Sequence, residues 1–261
     1  MPDSLRQILA DTGEFLRFQA EMGLDELEAT PELQKFLAEP AATPPATAVE
    51  QPAAKLARPL RKPPAPRPKP PEIPTSGQPI GEIHQELAGC RLCPLHENRR
   101  QVVAGSGTGR SGLLVIEEAP GEGEESGGGP LAGEAGELFD RMLKAIGLER
   151  EQVYLTSLVK CRPPADREPA EAEIHACLNH LFRQIAAVRP TVICGLGPLA
   201  ARVLTAKRQS LFQLRGRFHD FHGTPLMLTF HPRFLLLNPE MKKASWQDLQ
   251  LIQKKLSTLA R

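Results

Sequence analysis

From about residue 80 onward, short apolar runs alternate with amphipathic stretches, and no other feature of the chain narrows the fold as much. "GLLVIEE", "QVYLTSLVK", "TVICGLG" and "TPLMLTFHP" have strand length and are rich in aliphatic residues. Between them, "AGELFDRMLKAIG", "EPAEAEIHACLNHLFRQIAAVRP" and "PLAARVLTA" carry apolar residues at helical spacing, and "PEMKKASWQDLQLIQKKL" follows the last run. Strands that are apolar on both faces must be covered on both faces. The pattern therefore predicts an α/β domain over residues 80–261, with a parallel sheet between layers of helices. Ligands of such sheets sit at the carboxyl ends of the strands. The residues least suited to a core fall there: Glu118 after the first strand, Ser157 late in the second and His231 after the last.

Upstream the composition changes sharply. Residues 39–79 are dominated by proline and alanine, which removes amide donors and fixes φ, so they read as a disordered linker with polyproline II character. Its basic residues, Lys55, Arg58, Arg61, Lys62, Arg67 and Lys69, would add non-specific attraction to phosphates, although a solvated spacer explains them too. Residues 1–38 hold Leu5, Ile8, Leu9, Phe15, Leu16 and Phe18 at mostly helical spacing and read as a short amphipathic helical segment. So small a segment buries little by itself, and a protein partner for it is one expectation. The net charge of +1 does not announce nucleic acid. Neither a secretory leader nor a run long enough to span a membrane is visible, so an intracellular protein is expected.

Two constellations carry chemistry. "IEEAPGEGEESGGGPL" looks at first like a phosphate-binding turn, but its glutamates would repel a phosphate. The second constellation is cysteine. Cys90 and Cys93 form a CxxC, Cys161 lies in "VKCRPP", and Cys177 follows in a predicted helix. Four such thiols make a tetrathiolate site, which suits zinc or an iron–sulfur cluster, and the spacing does not choose between them. Cys194, inside an apolar strand, reads as a core thiol.

Taken together, "CRLCPLHENRRQVVAGSG", "EEAPGEGEE", "GPLAGEAGELFDRMLKAIGL", "VYLTSLVKCRPP", "EIHACLNHL", "RPTVICGLG" and "LTFHPRFLLLNPEMKKASWQDL" resemble a family 4, iron–sulfur uracil-DNA glycosylase. The resemblance runs from about Ile83 to Leu256. It implies a three-layer α/β/α sandwich around a four-stranded parallel sheet. It implies a structural [4Fe-4S] cluster on Cys90, Cys93, Cys161 and Cys177, with zinc as the alternative. The implied reaction is hydrolysis of the bond between uracil and deoxyribose in single- or double-stranded DNA, leaving an abasic site. That reaction requires the base to be flipped into a pocket. His231 would hydrogen-bond uracil O2 as charge develops there. Glu118 and Glu124 would position water and favour the cationic sugar. Ala119, Pro120 and Gly121 would line the base pocket, with Gly121 letting the backbone approach the nucleotide. Arg233, Phe234 and Leu235, or Leu236 beside it, would meet the DNA, one apolar side chain wedging into the gap left by the base. Arg215 and Arg217, with Lys160 and Arg162, are candidate phosphate contacts. Glu122 and Glu125 read as solvated loop acids. The resemblance further implies a monomer of bacterial or archaeal type, working in the cytoplasm at the nucleoid.

Three pocket positions depart from the family pattern. Glu117 stands where the family has glycine, Leu131 where it has a stacking phenylalanine, and Ser157 where it has an asparagine that reads the uracil edge. Stacking and a bidentate base contact are each worth roughly 1–3 kcal/mol, so their joint loss predicts uracil excision weaker by about two to four orders of magnitude. Three expectations compete: a weak uracil-DNA glycosylase, a glycosylase for another deaminated base, and a catalytically inactive iron–sulfur DNA-binding relative.

Overall fold

The computed structural model describes residues 73–74, 77–207 and 209–259. The expected helical segment 1–38 and almost all of the expected linker 39–79 lie outside the described residues. The end of the linker is seen, and there it packs on the domain. The Gln78 side chain accepts from Arg183 Nε at 3.1 Å, and a Cβ at Gly77 would lie 2.5 Å from the Ala186 carbonyl oxygen.

The elements follow in the order α1 (Ile80–Ala88), β1 (Leu113–Glu117), α2 (Glu122–Gly127), α3 (Gly133–Ala145), β2 (Tyr154–Ser157), α4 (Glu171–Val188), β3 (Val192–Leu196), α5 (Pro198–Thr205), α6 (Leu211–Leu214), β4 (Phe218–Phe221), β5 (Thr224–Thr229), α7 (Pro232–Leu237) and α8 (Lys242–Leu259), with short 3-10 turns between some of them. The sheet has the order β2-β1-β3-β5-β4. Its first four members are parallel, and β4 pairs antiparallel with β5. The four expected strands are therefore present, and a fifth flanks them. Phe221 and Thr224 face each other across a two-residue turn in which His222 (φ 49°) and Gly223 (φ 85°) are both left-handed, the backbone that a tight hairpin with matching twist requires.

Side chains alternate across the sheet and make two cores. Leu114, Ile116, Tyr154, Ile193, Leu226 and Leu228 pack with α4, α5 and α6, and Leu113, Val115, Leu155, Val192, Cys194 and Met227 pack with α3 and α8. Cys194 is buried there, as expected of a core thiol. This is a three-layer α/β/α arrangement. Between β1 and β3 the chain order reverses, since β2 lies on one side of β1 and β3 on the other. A crevice at the carboxyl ends of those two strands is where an open α/β sheet binds ligands.

Candidate active site

A cavity of about 240 Å³ opens at this switch point. Glu118, Ala119, Pro120 and Gly121, which follow β1, form one wall, and Leu199 of α5 closes another. The segment from Pro163 to Pro169, which offers no site candidate in the sequence, supplies Asp166, Arg167 and Glu168. That segment is pinned to α4 by Arg167, whose two terminal nitrogens donate to the Glu173 oxygens at 2.8 and 2.7 Å. Arg233 stands at the rim.

The glycine-rich stretch after β1 is not a plain turn, for it contains α2. The Gly121 amide donates to Glu124 Oε2 at 3.0 Å, and the Ala132 amide donates to Glu124 Oε1 at 3.0 Å. Glu124 thus uses both oxygens to tie the two ends of the segment together. A Cβ on Gly121 would lie 2.8 Å from both Glu124 Oε2 and Arg233 Nη2, so a side chain there would push these two groups aside. Glu125, expected in solvent, is buried. It accepts from the Arg100 amide at 2.9 Å and lies 3.8 Å from Arg162. Glu122 is exposed, as expected.

Glu118 turns toward α5 and accepts from the Leu199 amide at 2.7 Å, satisfying one of the free amides at that helix start. Gly197 (φ 91°) makes room for it, because a side chain there would collide with the carboxylate. Burial pushes the Glu118 carboxyl above its usual range, opposed by His231 and by the helix amide.

His231 precedes α7 and caps it. The Arg233 amide donates to His231 Nδ1 at 3.1 Å. With Nδ1 accepting, a neutral imidazole carries its hydrogen on Nε2. That Nε2 lies 3.6 Å from Glu117 Oε2, beyond a hydrogen bond. Glu117 itself is 2% exposed, and its other oxygen, Oε1, is buried without a hydrogen-bond partner. Burial raises its pKa, with Glu124 adding to the rise and His231 and the Leu131 amide opposing it.

Leu131 and Ser157 are both closed off from solvent. Leu131 sits in the left-handed region (φ 51°), held by Arg150, which donates to its carbonyl at 2.9 Å and is itself paired with Asp140. Ser157 lies directly beside Glu117 in the β1–β2 register and donates its hydroxyl to the Val159 carbonyl at 2.6 Å.

The residues expected at DNA divide. Arg233 is exposed, 4.0 Å from Glu124. Phe234 is half-buried and packs on Phe230, with ring centroids 5.1 Å apart. Leu235 does not reach the surface: α7 turns it inward and it is fully buried. The exposed apolar side chain of α7 is Leu237, which three consecutive leucines offer no means of singling out. Arg215 is likewise corrected. Its guanidinium donates from Nε to Asp248 Oδ2 at 3.0 Å and lies over Phe230, so it serves the core and not a phosphate. Lys160 is also buried, donating to Thr156 Oγ1 at 2.6 Å and to the Ser157 carbonyl, and burial lowers its pKa to about 8. Arg217 is exposed. Arg162 is engaged by Asp166 at 2.7 Å.

Cys90, Cys93, Cys161 and Cys177 line a single second cavity, with Leu87, Leu95 and Val159 around them. Among the described residues no three potential ligands are gathered tightly enough to hold an ion as they stand. The donor set nevertheless fits a thiolate-bound centre, since cationic or polar nitrogens surround it. Arg99 donates to Cys161 Sγ at 3.4 Å, and His180 Nε2 lies 3.5 Å from Cys90 Sγ. Burial pushes the Cys177 thiol up to about 11, and Lys160 opposes that rise.

Comparison with known proteins adds an independent line. A family model described as the uracil DNA glycosylase superfamily matches residues 104–250. A type-4 uracil-DNA glycosylase of Saccharolobus solfataricus is 38% identical over 185 residues, covering 67% of this chain and 86% of that protein. One of Thermotoga maritima is 37% identical over 172 residues, covering 64% of this chain and 90% of its own length. One of Archaeoglobus fulgidus is 33% identical over 181 residues, covering 66% and 91%.

Proposed function

The chain belongs to the uracil-DNA glycosylase superfamily, in its type-4 branch, and on that premise we propose that it removes uracil from DNA by hydrolysing the N-glycosidic bond of the flipped nucleotide. The observation that carries the reading is the capping geometry of His231, which leaves Nε2–H as a fixed donor at the carboxyl end of β5. As the bond between C1′ and the ring nitrogen breaks, its electron pair passes to uracil. A preorganised donor to O2 stabilises that charge without rearranging. The sugar becomes cationic, and water adds its oxygen to C1′ and releases a proton to the solvent side of the cavity.

Glu118 lines the cavity, and in its ionised form it supplies the negative charge beside which the cation forms. Glu124 acts as a positioning residue, since its oxygens hold the backbone of the segment that follows β1. Arg233 at the rim is the contact for a phosphate, and Leu237 on the same short helix is the apolar side chain available to fill the gap in the stack.

Four thiols around one cavity support a [4Fe-4S] centre on Cys90, Cys93, Cys161 and Cys177, and the same donors accept zinc. Such a centre would supply a structural tie between the segment before the sheet, the end of β2 and α4.

Single- and double-stranded oligonucleotides carrying uracil, hypoxanthine or xanthine, cleaved with alkali after incubation, test the activity. Cleavage at uracil is expected. If no modified base yields a break, the inactive DNA-binding relative is the reading that remains.

A further inference from the structure

Ser157 cannot do what an amide does at the base edge. Its hydroxyl hydrogen is given to the Val159 carbonyl. The neighbouring strand offers a substitute at the same level of the sheet. Glu117 is the register partner of Ser157, so both side chains leave the sheet on the same face and at the same strand end. Its Oε2 approaches His231 Nε2, the donor assigned to the base, at 3.6 Å. Its Oε1 is buried and makes no hydrogen bond, although the Leu131 amide lies near the carboxyl. A buried polar atom without a partner is costly and uncommon in a native fold, and a ligand is one of the things that supplies the partner.

We propose that the Glu117 carboxyl reads the hydrogen-bonding edge of the flipped base, donating one hydrogen bond and accepting another. The inference rests on the glycosylase reading above. A neutral carboxylic acid presents an O–H donor beside a carbonyl acceptor, the same pair that a primary amide presents. It therefore complements an imide edge: O4 and N3–H of uracil, or O6 and N1–H of hypoxanthine. An ionised carboxylate only accepts, and it complements two adjacent donors, as on the edge of guanine. Burial and the nearby Glu124 favour the neutral form, while His231 opposes it. The charged groups that face Glu117 are His231 after β5, Glu124 of α2 and Lys160 after β2.

The test compares wild type, Glu117→Gln and Glu117→Ala on two probes. One is a uracil oligonucleotide scored for excision. The other is the same strand carrying non-hydrolysable 2′-fluoro-2′-deoxyuridine, scored for binding against an unmodified strand. Gln keeps the donor–acceptor pair and should retain both excision and binding preference, whereas Ala should lose between about tenfold and a hundredfold in each. For wild type the preference should fall as pH rises and Glu117 ionises. In the Gln variant, which keeps His231, Glu124 and Lys160, that part of the alkaline fall should vanish. Excision that is equal in wild type and Ala, or lost equally in Gln and Ala with unchanged pH profiles, overturns the proposal and leaves the glycosylase reading intact. A binding preference that depends on Glu117 without any excision sustains the proposal and removes the enzyme. Neither excision nor preference in the wild type removes both.

Discussion

At the residue scale the site is governed by which hydrogen-bonding atoms are already engaged. The sequence marks Glu117, Leu131 and Ser157 as departures, and it marks His231 as the residue after the last strand. What it leaves open is orientation. That Ser157 is tied to Val159, and that one Glu117 oxygen is stranded beside His231, depends on sheet register and on where β5 ends. The engagement of His231 Nδ1 gives the clearest residue-level expectation. Replacing His231 by Ala removes both the cap and the donor. Stability should drop by about 1 kcal/mol, and single-turnover uracil excision by about 10²–10³-fold. Asn at the same position caps a helix well, so urea unfolding of His231→Asn should return to wild type while most of the rate loss stays. A rate unaffected by Ala would remove His231 from the reaction.

At the scale of elements, long segments with strong periodicity were legible and short ones were not. The strands β1, β2, β3 and β5 fall within the apolar runs because burial on both faces demands such runs. β4 was missed because, as an edge strand, it is only partly buried and carries His219 and Asp220, although the His222–Gly223 pair beside it is a recognisable hairpin signal. α2 and α7 escape the periodic pattern, the first because glycines conceal a helix start, the second because Pro232 and Pro239 bracket just six residues. Arg215 owes its position to a long-range contact that its own segment does not show. The element beneath it, α8, brings the fully buried Asp248 to accept from Arg215, from Thr229 Oγ1 at 2.7 Å and from the Gly216 amide at 3.0 Å. Asp248→Ala leaves these donors unpaired, and urea unfolding should show a loss of about 3–5 kcal/mol. Arg215→Ala should destabilise as well and leave the affinity for undamaged DNA unchanged. A selective loss of DNA affinity would return Arg215 to the phosphate contacts.

At the scale of the molecule, the thiol cavity joins parts of the chain that the sheet alone does not hold together. Cys90 and Cys93 precede the sheet, Cys161 follows β2 and Cys177 belongs to α4. Protein purified without oxygen should contain iron and acid-labile sulfide in equal amounts, and Cys177→Ser should lose both and melt at a lower temperature. Zinc in their place would assign the other metal to the same donors. The rim of the active-site cavity has a consequence of another kind. Arg167 and Arg233 line the cavity, and Arg162 and Arg202 pair with its lining residues Asp166 and Glu168; each of the four has a carboxylate within 4.0 Å, so part of the positive charge that a nucleic acid would meet is offset by the protein itself. A phosphate arriving here shares these arginines with internal carboxylates, and the strand is expected to shed fewer condensed counterions than the number of arginines suggests. The logarithm of DNA affinity should then fall with the logarithm of salt at a slope shallower than about −3, as for neutralisation of about three phosphates or fewer. Titrations across a range of potassium chloride measure that slope. An enzyme built in this way is expected to release an undamaged strand readily and to owe its residence on DNA to the flipped base more than to the backbone.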